Sequence, residues 1–209
     1  MEKYKQIFDR NIDRVNSLCN LYKTIKTEES KEGKDYKFTD ILRSAVVMLH
    51  SSFEEYYRSV LSEVLPQTCT ENDLKNISFL GSEGKHKEKI SLGELLAFKG
   101  KSIEDLIKES IAESLASTSF NNFSDIMNWS RKANIDLSSF AEQEKIEKLI
   151  SRRHKIVHEA DNSRTDSGYG LAQIKEITVR EWIATVCNLV NVIHTQVIAN
   201  FSQTQPGEN

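Results

Sequence analysis

Two prolines, Pro66 and Pro206, and eight glycines are all that can interrupt 209 residues. Such breakers are the strongest local punctuation a chain carries, and their scarcity favours long helices over a turn-rich β fold. The apolar residues recur at the matching step of three and four. Residues 2–27 place them at Ile7, Phe8, Ile12, Val15, Leu18, Cys19, Tyr22 and Ile25. Phe38 to Leu65 forms the next stripe, through Leu42, Ala45, Val46, Leu49, Phe53, Tyr56, Val60 and Val64. Pro66 is expected to end that helix. The last helix is expected from 179 to about 201, carrying Trp182, Ile183, Val186, Leu189, Val190, Ile193, Val197 and Phe201.

Between these helices the pattern is broken. Thr27–Tyr36 reads as a loop, and Thr68–Ser91 as polar and irregular. Gly81–Lys89 has glycines and lysines, but it lacks the Gly-Lys-Ser/Thr ending and preceding strand of a phosphate loop. Ser91-Leu92-Gly93-Glu94 has the form of a capping box opening a short helix through Phe98, which Gly100 ends. Ser102 caps a helix to about Ala116, with Ile103, Leu106, Ile107, Ile111 and Leu115 expected on its buried face. Phe123–Lys132 gives one more short helix. Residues 67–136 thus read as a helical insertion within a single domain spanning 1–201, followed by a fraying tail, 202–209.

The most concentrated chemistry lies at Arg152-Arg153-His154-Lys155-Ile156-Val157-His158. Ser138 or Ser139 is expected to cap the helix that carries it. The polar stretch 162–168 reads as a loop after it, and Thr178-Val179-Arg180-Glu181 as a capping box for the last helix. Cations are favourable near a helix C-terminus, which accounts for Arg and Lys there but not for two histidines. His154 and His158 share a face, while Arg153 and His158 diverge by roughly 140° on an ideal helix. Arg offers a permanent charge fork for phosphate oxygens, and His is the residue type that exchanges protons near neutrality. Together they suffice to cleave a phosphodiester without metal: His moves a proton, and Arg steadies charge on the phosphate oxygens.

Arg153 to His158 resembles the Arg, four-residue, His signature of HEPN domains. The longer run Arg152–Asp161 is similar to the RiboL-PSP-HEPN type. Leu42–Tyr57 resembles that family's early helix, with Glu54 at the acidic position. Many members carry Asn after the Arg, where this chain has His154. The resemblance covers most of residues 35–200. It implies an all-α, HEPN-like helical bundle, usually a homodimer whose two motifs face each other across a composite cleft. It also implies a metal-independent RNase, without cofactor, that uses the substrate's own 2′-hydroxyl and leaves a 2′,3′-cyclic phosphate. Toxin–antitoxin and antiphage systems are the expected setting, with an antitoxin or defence-system partner. Some members only bind.

On this reading Arg153 and His158 are catalytic, with His154 and Glu54 as further catalytic candidates; Lys155 holds substrate, and Arg152 holds substrate phosphate or makes a surface salt bridge. Two alternatives stand for Glu54: orienting Arg153 or His158, or pairing with Arg58 four residues on. Three readings stand for the motif. As a zinc site, His154 and His158 have the i, i+4 spacing, but Lys155 occupies the place of Glu in His-Glu-x-x-His and no third ligand is evident. As a binding module, the cations would hold RNA phosphates or a partner's acidic groups. As an RNase, His158 would be indispensable.

Composition bounds these readings. Charged residues make up 28% and the formal net charge is −3, against a whole-surface nucleic-acid binder but not against a local basic groove. Cys19, Cys69 and Cys187 are odd in number and lack Cys-x2-Cys spacing, so reduced thiols in a cytoplasmic setting are expected. No uninterrupted apolar run nears the roughly 20 residues of a membrane span. The amino terminus does not read as a signal peptide.

Overall fold

The computed structural model describes residues 1–29, 38–81, 90–165 and 168–203. Among them the chain forms eight α-helices: α1 Glu2–Glu29, α2 Thr39–Thr68, α3 Glu71–Leu74, α4 Leu92–Leu95, α5 Ile103–Ser117, α6 Phe123–Lys132, α7 Gln143–Glu159 and α8 Glu176–Gln203. A 3-10 turn, Leu96–Phe98, extends α4. The fold is all-α, as expected, with one small exception: β1 Asn162–Thr165 and β2 Gly168–Leu171 pair as an antiparallel hairpin, Asn162 opposite Leu171. Residues 162–168 had read as a plain loop. Strands of four residues, the first of them wholly polar, are too short to give a clear period-two signal.

Helix α2 is the axis of the molecule. It packs against α1, α5, α6, α7 and α8, and its stripe Leu42, Ala45, Val46, Leu49, Phe53, Tyr57, Val60, Leu61 and Leu65 is buried. Each such aliphatic or aromatic side chain contributes roughly 1.5–3 kcal/mol by leaving water. Tyr57 stacks on Phe53 and meets the edge of Phe120. Its hydroxyl donates to the Ile126 carbonyl at 2.8 Å and lies 2.7 Å from Ser130 Oγ. The central region 67–136 shares this core, with Ile111, Leu115, Phe120, Phe123 and Ile126 in the same buried cluster.

Several helix ends differ from expectation. Pro66 does not stop α2, because proline removes only its own N–H; the Cys69 N–H still reaches the Leu65 carbonyl at 2.9 Å, and the helix runs to Thr68. Helix α7 begins at Gln143 with Glu142 at its N-cap, making no side-chain cap bond, rather than at Ser138 or Ser139. Glu142 instead accepts from Asn188 and Thr185 and so ties the start of α7 to α8. Helix α8 starts at Glu176, which places Thr178 within its first turn rather than at a cap. The box at Ser91 forms and Ser102 caps α5 as expected, the latter also closing a box on Asp105. Ile103, at the first position of α5, is exposed rather than buried. Residues 30–37 of the first expected loop and 82–89 of the second lie outside the described residues.

By length and composition α8 could cross a membrane, but its apolar side chains from Val179 to Val197 are packed in this core. Ile177 and Ile198 are its exposed large hydrophobics among the described residues. The apolar side of this helix is therefore mostly taken up within the chain.

Candidate active site at the end of helix α7

The buried stripe of α7 runs Ile146, Leu149 and Ile150, facing the bundle, and α7 packs on α2. Helical periodicity continues that stripe to Arg153 and turns Lys155 and His158 toward solvent. Arg153 is accordingly half-buried, while His154, Lys155 and His158 are exposed. The helix is uninterrupted to Glu159, so the roughly 140° between Arg153 and His158 is not shortened by distortion. On one helix these two side chains leave the axis in different directions. The helix does bring the histidines together: the rings of His154 and His158 are 4.6 Å apart, centroid to centroid, and tilted by 44°.

Arg153, His154, Lys155 and His158 have no hydrogen-bond or ion-pair partner among the described residues, and the buried Nε of Arg153 is unpartnered. Arg152 is different. Its Nη2 donates to Asp161 Oδ2 at 2.7 Å and to the carbonyls of Ala172 and Gln173 at 2.9 and 3.1 Å. Arg43, from α2, donates to the same Asp161 Oδ2 through Nε at 2.7 Å, and to the Ala172 carbonyl through Nη2 at 2.8 Å. Asp161 is wholly buried. Its backbone carbonyl accepts the Ala172 N–H at 2.8 Å. Asp161 thus joins α2 and α7 through its carboxylate and the chain entering α8 through its backbone carbonyl. The motif helix ends on this anchor, with the Ala160 and Asp161 N–H groups both closing on the Lys155 carbonyl. Ala160 and Asp161 both take positive φ, 49° and 54°.

Glu54 sits elsewhere on α2. Its Oε1 accepts from Arg58 at 3.3 Å and from the Phe120 N–H at 3.4 Å, and its Oε2 lies 3.5 Å from Nδ1 of buried His50. Burial pushes its carboxyl upward, but His50, Arg58 and the Phe120 N–H outweigh that and hold it below the usual range. Arg58 also donates to the Leu115 and Thr118 carbonyls at the end of α5. Glu54 therefore braces the α5–α6 connection, and no contact joins it to Arg153 or His158.

Sequence reasoning gave no role to Arg43 or Asp161, although both lay inside the stretches it singled out. No local pattern announced the pair, since their contact spans 118 positions. His154 and His158 supply two imidazoles, and no cluster of three or more His, Cys, Asp or Glu able to hold a metal occurs among the described residues. Burial pushes all three thiols up, so none is an activated nucleophile.

The family model RiboL-PSP-HEPN matches residues 9–199. The chain belongs to the RiboL-PSP-HEPN family. The match spans both the early helix and the α7 motif, and it includes the central region 67–136. No curated protein and no solved structure matches the chain. Within this HEPN domain the end of α7 presents a half-buried guanidinium, two touching imidazoles and an exposed ammonium. Such a set can contact an anion and exchange a proton.

Proposed function

We propose that this chain is a metal-independent endoribonuclease. The substrate's 2′-hydroxyl attacks the adjacent phosphorus, the 5′-oxygen leaves, and a 2′,3′-cyclic phosphate remains. His158 moves the proton, Arg153 steadies the charge growing on the phosphate oxygens, and His154 assists its neighbour. Lys155 holds substrate phosphate. Arg152, proposed from sequence as a substrate contact, is assigned instead to holding the helix end. The protein acts in the cytoplasm as a homodimer within a toxin–antitoxin or antiphage system, restrained by a partner.

The observation that carries this reading is the contrast within the motif. The fold ties Arg152 down through Nη2, although its buried Nε has no partner, and leaves Arg153, His154 and His158 without any hydrogen-bond or ion-pair partner among the described residues. The divergence of Arg153 and His158 on one helix calls for two chains, each offering its motif to a shared cleft. The same divergence favours the second reading, a HEPN module that binds RNA or protein without cutting.

The two separate on turnover. Purified protein incubated with total RNA in EDTA is expected to cleave it, and Arg153→Ala and His158→Ala each to slow cleavage about 100-fold or more. Cleavage that vanishes with the chelator would reject the metal-free mechanism, cleavage that survives both substitutions would reject the roles of Arg153 and His158, and no cleavage with or without chelator would reject the nuclease assignment.

A further inference from the structure

A groove of about 680 Å³ runs beside the motif, between α7 and the segment leading into α8. One wall is the α7 face bearing Lys148, Ser151 and Lys155, which recur at helical steps and so lie in a line along the axis. The other wall is Gln173 and Lys175, and the floor is Ile174 and Trp182. Both walls are fixed to each other, because Arg152 of α7 donates to the Gln173 carbonyl and to the Asp161 anchor.

Charge in this groove is unevenly matched. Of its acids, Glu144 is paired with Lys148 at 2.7 Å, and Glu147 accepts the Phe123 N–H at 2.7 Å. Lys155 and Lys175 both line the groove and have no ion-pair partner among the described residues, on a chain of net negative charge. His158 follows Lys155 by three residues and lies roughly 60° further round α7. A polyanion laid along the groove past Lys155 therefore arrives at His158.

We propose that this groove carries the single-stranded RNA flanking the cleaved bond, with Lys155 and Lys175 each neutralising a phosphate. The proposal rests on the nuclease reading and adds the path of the strand and a contact, Lys175, that lies outside the motif. A free nucleotide offers the same phosphate chemistry, and the experiment separates the two.

The His158→Ala chain, used so that substrate is not consumed, is titrated with a 12-nucleotide RNA and with AMP across a range of salt, alone and with Lys155→Gln and Lys175→Gln. Both lysines are exposed, and circular dichroism checks that the variants fold. The slope of log affinity against log salt for the RNA is expected to shrink by about 0.7 for each lysine removed, with AMP bound weakly by all forms. An unchanged slope with intact RNA binding overturns the groove and leaves the nuclease reading standing. Tight AMP binding that both substitutions abolish makes the groove a mononucleotide pocket and overturns the strand path. Failure of the parent chain to bind RNA at all overturns both.

Discussion

Asp161 is the residue on which the motif's position depends. It is wholly buried between two arginines and makes its contacts through one oxygen. Removing the carboxylate leaves Arg43 and Arg152 facing each other with no anion between them. Breaking a buried charge set in this way costs about 3–5 kcal/mol. Asp161→Ala is expected to lose that much in urea denaturation, and Asp161→Asn less, since its amide oxygen can still accept. A loss under about 1 kcal/mol for the alanine variant would mean that the helix end does not rely on this anchor. Glu54 makes a different claim, about pH. Its folded carboxyl titrates below the ordinary glutamate value, so its contribution is present above that value, about 4.3, and fades as the pH falls through the lower folded one. The stability advantage of the native chain over Glu54→Gln should be clear at neutral pH and shrink in acid. An advantage of equal size at both would contradict the ion-pair account.

At the scale of elements, α7 ends where two consecutive non-glycine residues turn left-handed. The left-handed conformation costs an L-residue about 1–2 kcal/mol. Ala160 is exposed, so little burial of its methyl group offsets this. Ala160→Gly is therefore expected to raise stability by about 1 kcal/mol, read as a higher thermal midpoint. A fall in the midpoint would show that the Ala160 methyl group packs favourably. The long helices were legible in the sequence because burial imposes their three-and-four step directly. Their ends were less so. The cap of α7 is Glu142, held by α8, and no local pattern announces a cap that a distant helix completes. The hairpin 162–171 was hidden for a related reason: its strands are only four residues long, the first of them wholly polar, and its base is closed by the Asp161–Ala172 bond.

Across the whole molecule, α2 organises both the core and the motif. Its middle and C-terminal part anchors the helices of the central region, and Arg43 near its N-terminus holds the end of α7. The sequence placed Arg152 and Arg153 together in a site, yet adjacent positions on a helix point about 100° apart. The fold takes the first into a buried network and leaves the second at the edge of the core. Which of two neighbouring arginines is structural becomes visible only once Asp161 is seen between α2 and α7. The homodimer proposed here rests on the same helical phase, which separates Arg153 from His158 within a chain.

The central claim is that these side chains direct the substrate's own 2′-hydroxyl onto the phosphate. It is tested most directly by offering the protein one RNA sequence in two forms, unmodified and fully 2′-O-methylated, with EDTA present, and analysing the product ends. The account predicts cleavage of the unmodified strand to 2′,3′-cyclic phosphate and 5′-hydroxyl ends, and none of the methylated strand. Cleavage of the methylated strand, or 5′-phosphate ends from either, would contradict it.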